Sequence, residues 1–214
     1  MSILVAGFSS FPGVATNPSE DMIRRLEART AESTAVATLV LPVEWESSWP
    51  RLKEAIAATG ATSVLLFGLH MRCERFRVEL MARNHRELGR ADAVNAFPAG
   101  PSISDGPKTI PCRLDWGAVA KALRDAGTDF EWSTHAGGYL CNDTLYRLAE
   151  RAASLGVERF GFFHMPLSDE RVGEYVDRHT LPEVFMSMPA GRMDAAALAL
   201  IAMLAPGNEE RVDP

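Results

Sequence analysis

Cys141, His164 and Glu79 have the side-chain types and sequence settings of a nucleophile, a base and an orienting carboxylate. Cys141 follows the Gly-Gly pair of "THAGGYLCNDTLYRL" (residues 134–148) and falls on the first turn of what reads as a helix. A thiol in that setting meets unpaired backbone N–H groups and the positive end of the helix macrodipole, which favour the thiolate. His164 closes the apolar run "GFFH", and Glu79 sits within the alternating "ERFRVELMARN". Together they would form a generalised triad, and the helix-start N–H groups would receive an oxyanion.

Each residue also has an ordinary reading. Free cysteine is among the most buried residue types, and a glutamate on an alternating strand is commonly solvated and paired, here with Arg75 or Arg77. His135 lies closer to Cys141 in the chain and is a second candidate for the base. His70 and Cys73 share an i, i+3 spacing in "HMRC", but no second pair of matching spacing occurs, so no metal site is expected. Neither "GLHMRC" nor "GFSSFPG" has the spacing of a dinucleotide or P-loop fingerprint, and no cofactor is expected.

An alternation of strands and helices would position these groups. "ILVAG" reads as a buried strand, followed by a helix with Asn17 as N-cap and Pro18 at its first position. Residues 34–43 and 63–68 are apolar and β-branched, with the helical "SWPRLKEAIAATG" between them, the order of a parallel crossover. Glu74–Asn84 alternates as one half-buried strand, antiparallel to its neighbour, with Phe76, Val78 and Leu80 inward and Glu79 on the polar face. The stretch from Arg86 to Pro111 lacks periodicity and reads as a surface segment near the site. Helix "LDWGAVAKALRDAG", strand "FEWSTHAG", helix "CNDTLYRLAERAASLG", strand "RFGFFHMPL" and helix "RMDAAALALIAML" follow. The expected fold is α/β, a single-domain three-layer sandwich over residues 1–214 with a mostly parallel sheet and helices on both faces. Sites in such sheets gather where strands end and helices begin.

The 214 residues are 47% hydrophobic, contain no run of 18 apolar residues, and are enough for one substantial core without a transmembrane helix. A net charge of −6 argues against nucleic-acid and anionic-membrane partners, which demand a concentrated basic face. Cys73, Cys112 and Cys141 are too few and too widely spaced for a disulfide framework, and free thiols fit a reducing compartment. The N-terminus has no basic region ahead of its apolar run and reads as a strand, so a cytoplasmic location is expected.

From Ile3 to about Leu204 the sequence resembles the type I pyroglutamyl peptidases, or pyrrolidone-carboxylate peptidases, a family of cysteine peptidases. "LVAGFSSFPGVATNPSEDMIRRL" is similar to that family's opening strand, loop and helix start, and "LPVEW" to its second-strand exit. "GLHMRCERFRVELMARN" matches the segment carrying the family's glutamate, "AGGYLCN" its cysteine motif and "GFFHMP" its histidine motif. The resemblance implies Cys141 as nucleophile, His164 as base and Glu79 as orienting carboxylate. It implies substrate contacts from Phe8, Phe11, Asn17, Leu69, Tyr139 and Leu140, with Arg90 the nearest match to an arginine that acts at the oxyanion. Leu69 replaces the Gln of the family's "GQAGGR", and the opening loop "GFSSFPG" departs from "PFGG". The implied activity is removal of N-terminal pyroglutamate from peptides through an acyl-enzyme, in a homo-oligomer (dimer or tetramer), without a cofactor. A divergent amidase acting on another small or cyclic acyl amide, and a binding homologue without turnover, are the alternatives.

Overall fold

The buried run Ile3–Phe8 is strand β1, and Asn17 caps the helix that follows it, α1 (Pro18–Thr30), its side chain accepting a hydrogen bond from Ser19 N at 3.1 Å. This is a computed structural model describing residues 2–205 apart from Pro12, Ala15, Glu32, Arg178 and Thr180. Strand β2 (Val36–Leu41), helix α2 (Ser48–Thr59) and strand β3 (Ser63–Leu69) complete the expected crossovers. Gly60 ends α2 with φ of 59°, a left-handed conformation that costs glycine no Cβ clash. Next come β4 (Phe76–Glu79), β5 (Met81–Arg83), β6 (Thr109–Pro111), α3 (Trp116–Asp125) capped by Asp115, β7 (Phe130–Ser133), α4 (Leu140–Arg151) and β8 (Arg159–Met165). The chain closes through β9 (Leu167–Ser168), α5 (Val172–Asp177), β10 (Ser187–Met188) and α6 (Ala190–Leu204).

The main sheet has the order β2-β1-β3-β8-β4-β7, and every pairing is parallel except β4 with β8. Alternate residues of its strands point to opposite faces, so each strand feeds two cores. On one face Leu4, Leu66, Phe160 and Phe162 pack under α2 and α4. On the other, Val5, Leu65, Phe67 and Phe163 pack under α1, α3 and α6. Fully burying each such Leu or Phe is worth roughly 1.5–3 kcal/mol, which is why the sheet is covered on both sides. The three-layer architecture agrees with the sequence reading.

The expected single strand over 74–84 is divided at Leu80. Only Phe76–Glu79 joins the main sheet; Met81–Arg83 leaves it to pair antiparallel with β6. The second face of β4 is the side that α4 covers, so it is not solvated, and Glu79 is fully buried rather than on a polar surface. Alternation identified the faces correctly but not what covers them. The segment between β8 and α6 carries α5 and the β9/β10 pair, which were not expected from its sequence. There Leu167 and Tyr175 form a small cluster with Val14, against which Phe11 and Leu69 pack.

Candidate active site

In the antiparallel pairing of β4 with β8, Arg77 stands opposite His164 and Glu79 opposite Phe162. Residues directly opposite and two apart share a sheet face, so His164, Arg77 and Glu79 all face the α4 side. His164 Nδ1 lies 2.8 Å from Glu79 Oε1, and an ionised carboxylate can only accept, so the ring donates. That leaves Nε2 for Cys141, which lines the same cavity as the ring and favours its charge. His164 is 2% exposed and Glu79 0%.

Burial opposes the imidazolium, yet the hydrogen bonds to Cys141 and Glu79 outweigh it and raise the His164 pKa to about 9. Burial likewise pushes Glu79 up, but the bond from His164 and its charge overcome this and hold the carboxyl below its usual value. Ser133, opposite Glu79 in the register of β7, also favours the carboxylate charge, although among the described residues Oε2 has no partner at hydrogen-bond distance. The directions agree for the pair, a buried carboxylate bonded to an imidazolium that faces the Cys141 sulfur.

The approach of Cys141 depends on glycines. A Cβ at Gly68 would lie 2.9 Å from Phe162 Cζ and 3.1 Å from Cys141 Sγ, so the bare β3 backbone there leaves room for the thiol. Gly137 takes φ of 85°, and a Cβ at Gly138 would lie 2.9 Å from Glu87 N. These two allow the chain to turn and enter α4 against the 86–87 segment. Tyr139 provides no side-chain cap, and among the described residues the amides of Leu140, Cys141 and Asn142 have no protein acceptor. The first turn of α4 therefore presents free N–H groups beside the thiol. Asn142 fastens this turn to the neighbouring segment, accepting from Arg83 N at 2.9 Å and donating to the carbonyls of Arg83 and His85 at 2.8 and 2.9 Å.

Cys141 and His164 line a cavity of about 150 Å³, walled by Phe8, Phe11, Leu69, Tyr139 and Leu140. Phe11 and Tyr139 lie 5.9 Å apart, and the Arg90 guanidinium lies over the Tyr139 ring at 4.0 Å. A larger cavity of about 420 Å³, lined by Trp45, Arg86 and Arg147 among others, contains none of Cys141, His164 and Glu79.

Residues 1–203 match the profile of the pyroglutamyl peptidase family. The chain belongs to the pyroglutamyl peptidase family. It is 29% identical over 203 residues to a pyrrolidone-carboxylate peptidase of Levilactobacillus brevis, covering 94% of this chain and 98% of that one. It is 31% identical over 173 residues to that of Thermococcus onnurineus, covering 80% and 86%. Among solved structures, a mutant pyrrolidone carboxyl peptidase from the hyperthermophile Pyrococcus furiosus superposes with a TM-score of 0.84 at 23% identity, covering 95% of this chain and 97% of that one. Pyroglutamyl peptidase I of Bacillus amyloliquefaciens gives 0.79 at 23% identity, covering 94% and 95%. These likenesses establish the fold.

Within this family member, the structure brings Cys141, His164 and Glu79 together and sets Phe8, Phe11, Leu69, Tyr139, Leu140 and Arg90 around the thiol. Phe8 is 2% exposed and packs on Phe162 at 6.2 Å, so it belongs to the core as much as to the cavity. Asn17 reaches the cavity wall, but its side chain is committed to Ser19 and to the Ser9 carbonyl and serves chiefly as the helix cap. His135 is exposed, its ring accepting from Gly137 N within its own turn, which leaves His164 as the histidine at the thiol. Of the stretch from Arg86 to Pro111, Thr109–Pro111 is not irregular but strand β6, paired with β5; the remainder does border the site, since Glu87 and Arg90 line the cavity and Tyr139 donates to the Ala91 carbonyl at 2.9 Å. Sequence reasoning missed Gly68, Glu87 and His70. Gly68 at a strand end was a readable sign of close approach. Glu87 and His70 carried no such signal. Among the described residues no helix is long and apolar enough to cross a membrane.

Proposed function

We propose that this family member is a cysteine peptidase that removes N-terminal pyroglutamate from peptides through a Cys141–His164–Glu79 triad. The His164 imidazole, bonded to the buried Glu79 and sharing the wall of an aromatic cavity with Cys141, carries this reading. Family membership supports the substrate class. The Cys141 thiolate attacks the pyroglutamyl carbonyl carbon, and the developing oxyanion is received by the free amides at the start of α4. His164 then gives its proton to the leaving amine as the C–N bond breaks. In the second half, water loses a proton to His164 as its oxygen attacks the thioester; the C–S bond breaks, and pyroglutamate leaves. Glu79 keeps the proton of Nδ1 in place and stabilises the cation without itself being protonated.

Phe8, Phe11, Leu69 and Tyr139 suit a flat five-membered ring. With Leu69 apolar and the Asn17 side chain committed, the lactam N–H and C=O would pair with backbone groups. A site that bonds both should reject the prolyl group, which lacks the ring carbonyl, because a buried partner left unpaired costs roughly 1–3 kcal/mol. Hydrolysis of pyroglutamyl-aminocoumarin is expected at least about tenfold faster than that of prolyl-aminocoumarin, equivalent to about 1.4 kcal/mol. Equal rates on both, or turnover only of other acyl amides, would favour the divergent amidase. A reactive Cys141 without turnover of any substrate would favour a binding homologue. On this proposal the enzyme is a cytoplasmic dimer or tetramer; light scattering of the purified protein tests the assembly.

A further inference from the structure

His70 is the first residue beyond β3, and its backbone N–H donates to the Met165 carbonyl at 3.0 Å, extending the pairing of β3 with β8. Two residues past Gly68, it lies at the sheet rim beside the catalytic groups and lines the cavity with Cys141 and His164. Its ring meets that of His164 edge to face, with centroids 5.4 Å apart at 74°. Phe162 contacts the same imidazole at 4.7 Å. The base is thus held at Nδ1 by Glu79 and through ring contacts by Phe162 and His70, with Cys141 beside it in the cavity.

The His70 ring is itself secured. Arg77 Nη1 lies 3.5 Å from His70 Nε2, and Arg77 is anchored by Glu131 at 2.7 Å. A guanidinium only donates, so Nε2 carries the lone pair and the proton of the neutral ring sits on Nδ1. That Nδ1 is buried and, among the described residues, has no hydrogen-bond partner. Protonating Nε2 would oppose two donors and place a cation between Arg77 and the His164 imidazolium. The charged and titratable groups around it are His164 on β8, Arg77 and Glu79 on β4, Glu131 on β7 behind Arg77, and Cys141 on α4. Burial, then the charges of His164 and Arg77, lower the His70 pKa to about 4, so the ring is neutral through the working range.

We propose that His70 is a positioning residue: its neutral ring, backed by Arg77 and Glu131, packs against His164 and keeps that imidazole aligned between Glu79 and Cys141. The inference rests on the reading of Cys141 and His164 as the working pair, and it assigns His70 no proton transfer.

The test compares His70→Ala, His70→Phe and His70→Asn. Phe keeps a flat ring against His164 but cannot titrate; Asn keeps an acceptor for Arg77 but has no ring. On pyroglutamyl-aminocoumarin, His70→Ala and His70→Asn are expected to lower kcat at least about tenfold with KM within about threefold, while His70→Phe stays within about threefold of the parent. Alkylation of Cys141 by iodoacetamide against pH reads the same pair without a substrate. Its profile should shift by about half a pH unit or more in the Ala and Asn variants and stay in place in the Phe variant. A Phe variant as slow as Ala would overturn the proposal, because the imidazole chemistry itself would be required. Parental kcat in Ala, or a change in KM alone, would overturn it too. If the parent enzyme turns over no pyroglutamyl substrate, the substrate reading fails, and the alkylation profiles still decide the role of His70.

Discussion

Replacing Glu79 with Gln keeps the shape of the side chain and removes a fully buried charge 2.8 Å from His164. The imidazolium then loses a charge-assisted hydrogen bond worth roughly 1.5–3 kcal/mol. At 1.36 kcal/mol per pH unit this is about one to two units, so His164 should fall from about 9 to about 7–8. The leaving amine needs the protonated ring, so the alkaline limb of kcat is expected near pH 9 in the parent and about one to two units lower in Glu79→Gln. Even on the plateau the rate should drop by about 10²–10⁴, because the Gln amide no longer enforces the tautomer with the proton on Nδ1. KM should change by less than about threefold, since Glu79 does not line the cavity. The assay is kcat and KM on pyroglutamyl-aminocoumarin from pH 5.5 to 10, with a thermal melt of each variant. An alkaline limb that stays put, or a Gln variant with full activity, would refute the argument and leave Glu79 as a structural buried carboxylate.

Iodoacetamide should label Cys141 selectively: Cys73 and Cys112 are buried, which pushes both thiols up to about 12, while Cys141 is partly exposed and lines the cavity. Peptide mapping by mass spectrometry checks this, and similar labelling rates at all three would remove Cys141 as nucleophile; Cys141→Ser should fold and be inactive. Gly68→Ala would put a methyl group 2.9 Å from Phe162 Cζ and 3.1 Å from Cys141 Sγ, so the side chains must move. We expect a stability loss of about 1–3 kcal/mol by urea unfolding, with kcat falling at least about tenfold as the thiol leaves the His164 line. Unchanged kcat would show that Cys141 does not need the space above Gly68.

Much of this protein is determined locally and is therefore readable from the chain. The caps at Asn17 and Asp115 and the left-handed turn at Gly60 depend on neighbouring residues, and the strands and helices they bound agree with the sequence pattern. The Gly-Gly turn ahead of Cys141 is equally local, and so is the placement of the thiol on the first turn of α4. What the sequence could not determine is which strand becomes whose neighbour, because hydrogen bonding between strands follows from the packing of the whole chain. The register of β4 against β8 puts Glu79 beside the ring of His164, 85 residues away, and the cover over that face of the sheet turns an apparent surface glutamate into an enclosed one. The same pairing sets Arg77 where it can reach across to His70. Neither local propensity nor alternation could separate a polar residue facing water from a polar residue facing another part of the chain; only the assembled sheet, with α4 laid over it, makes that distinction.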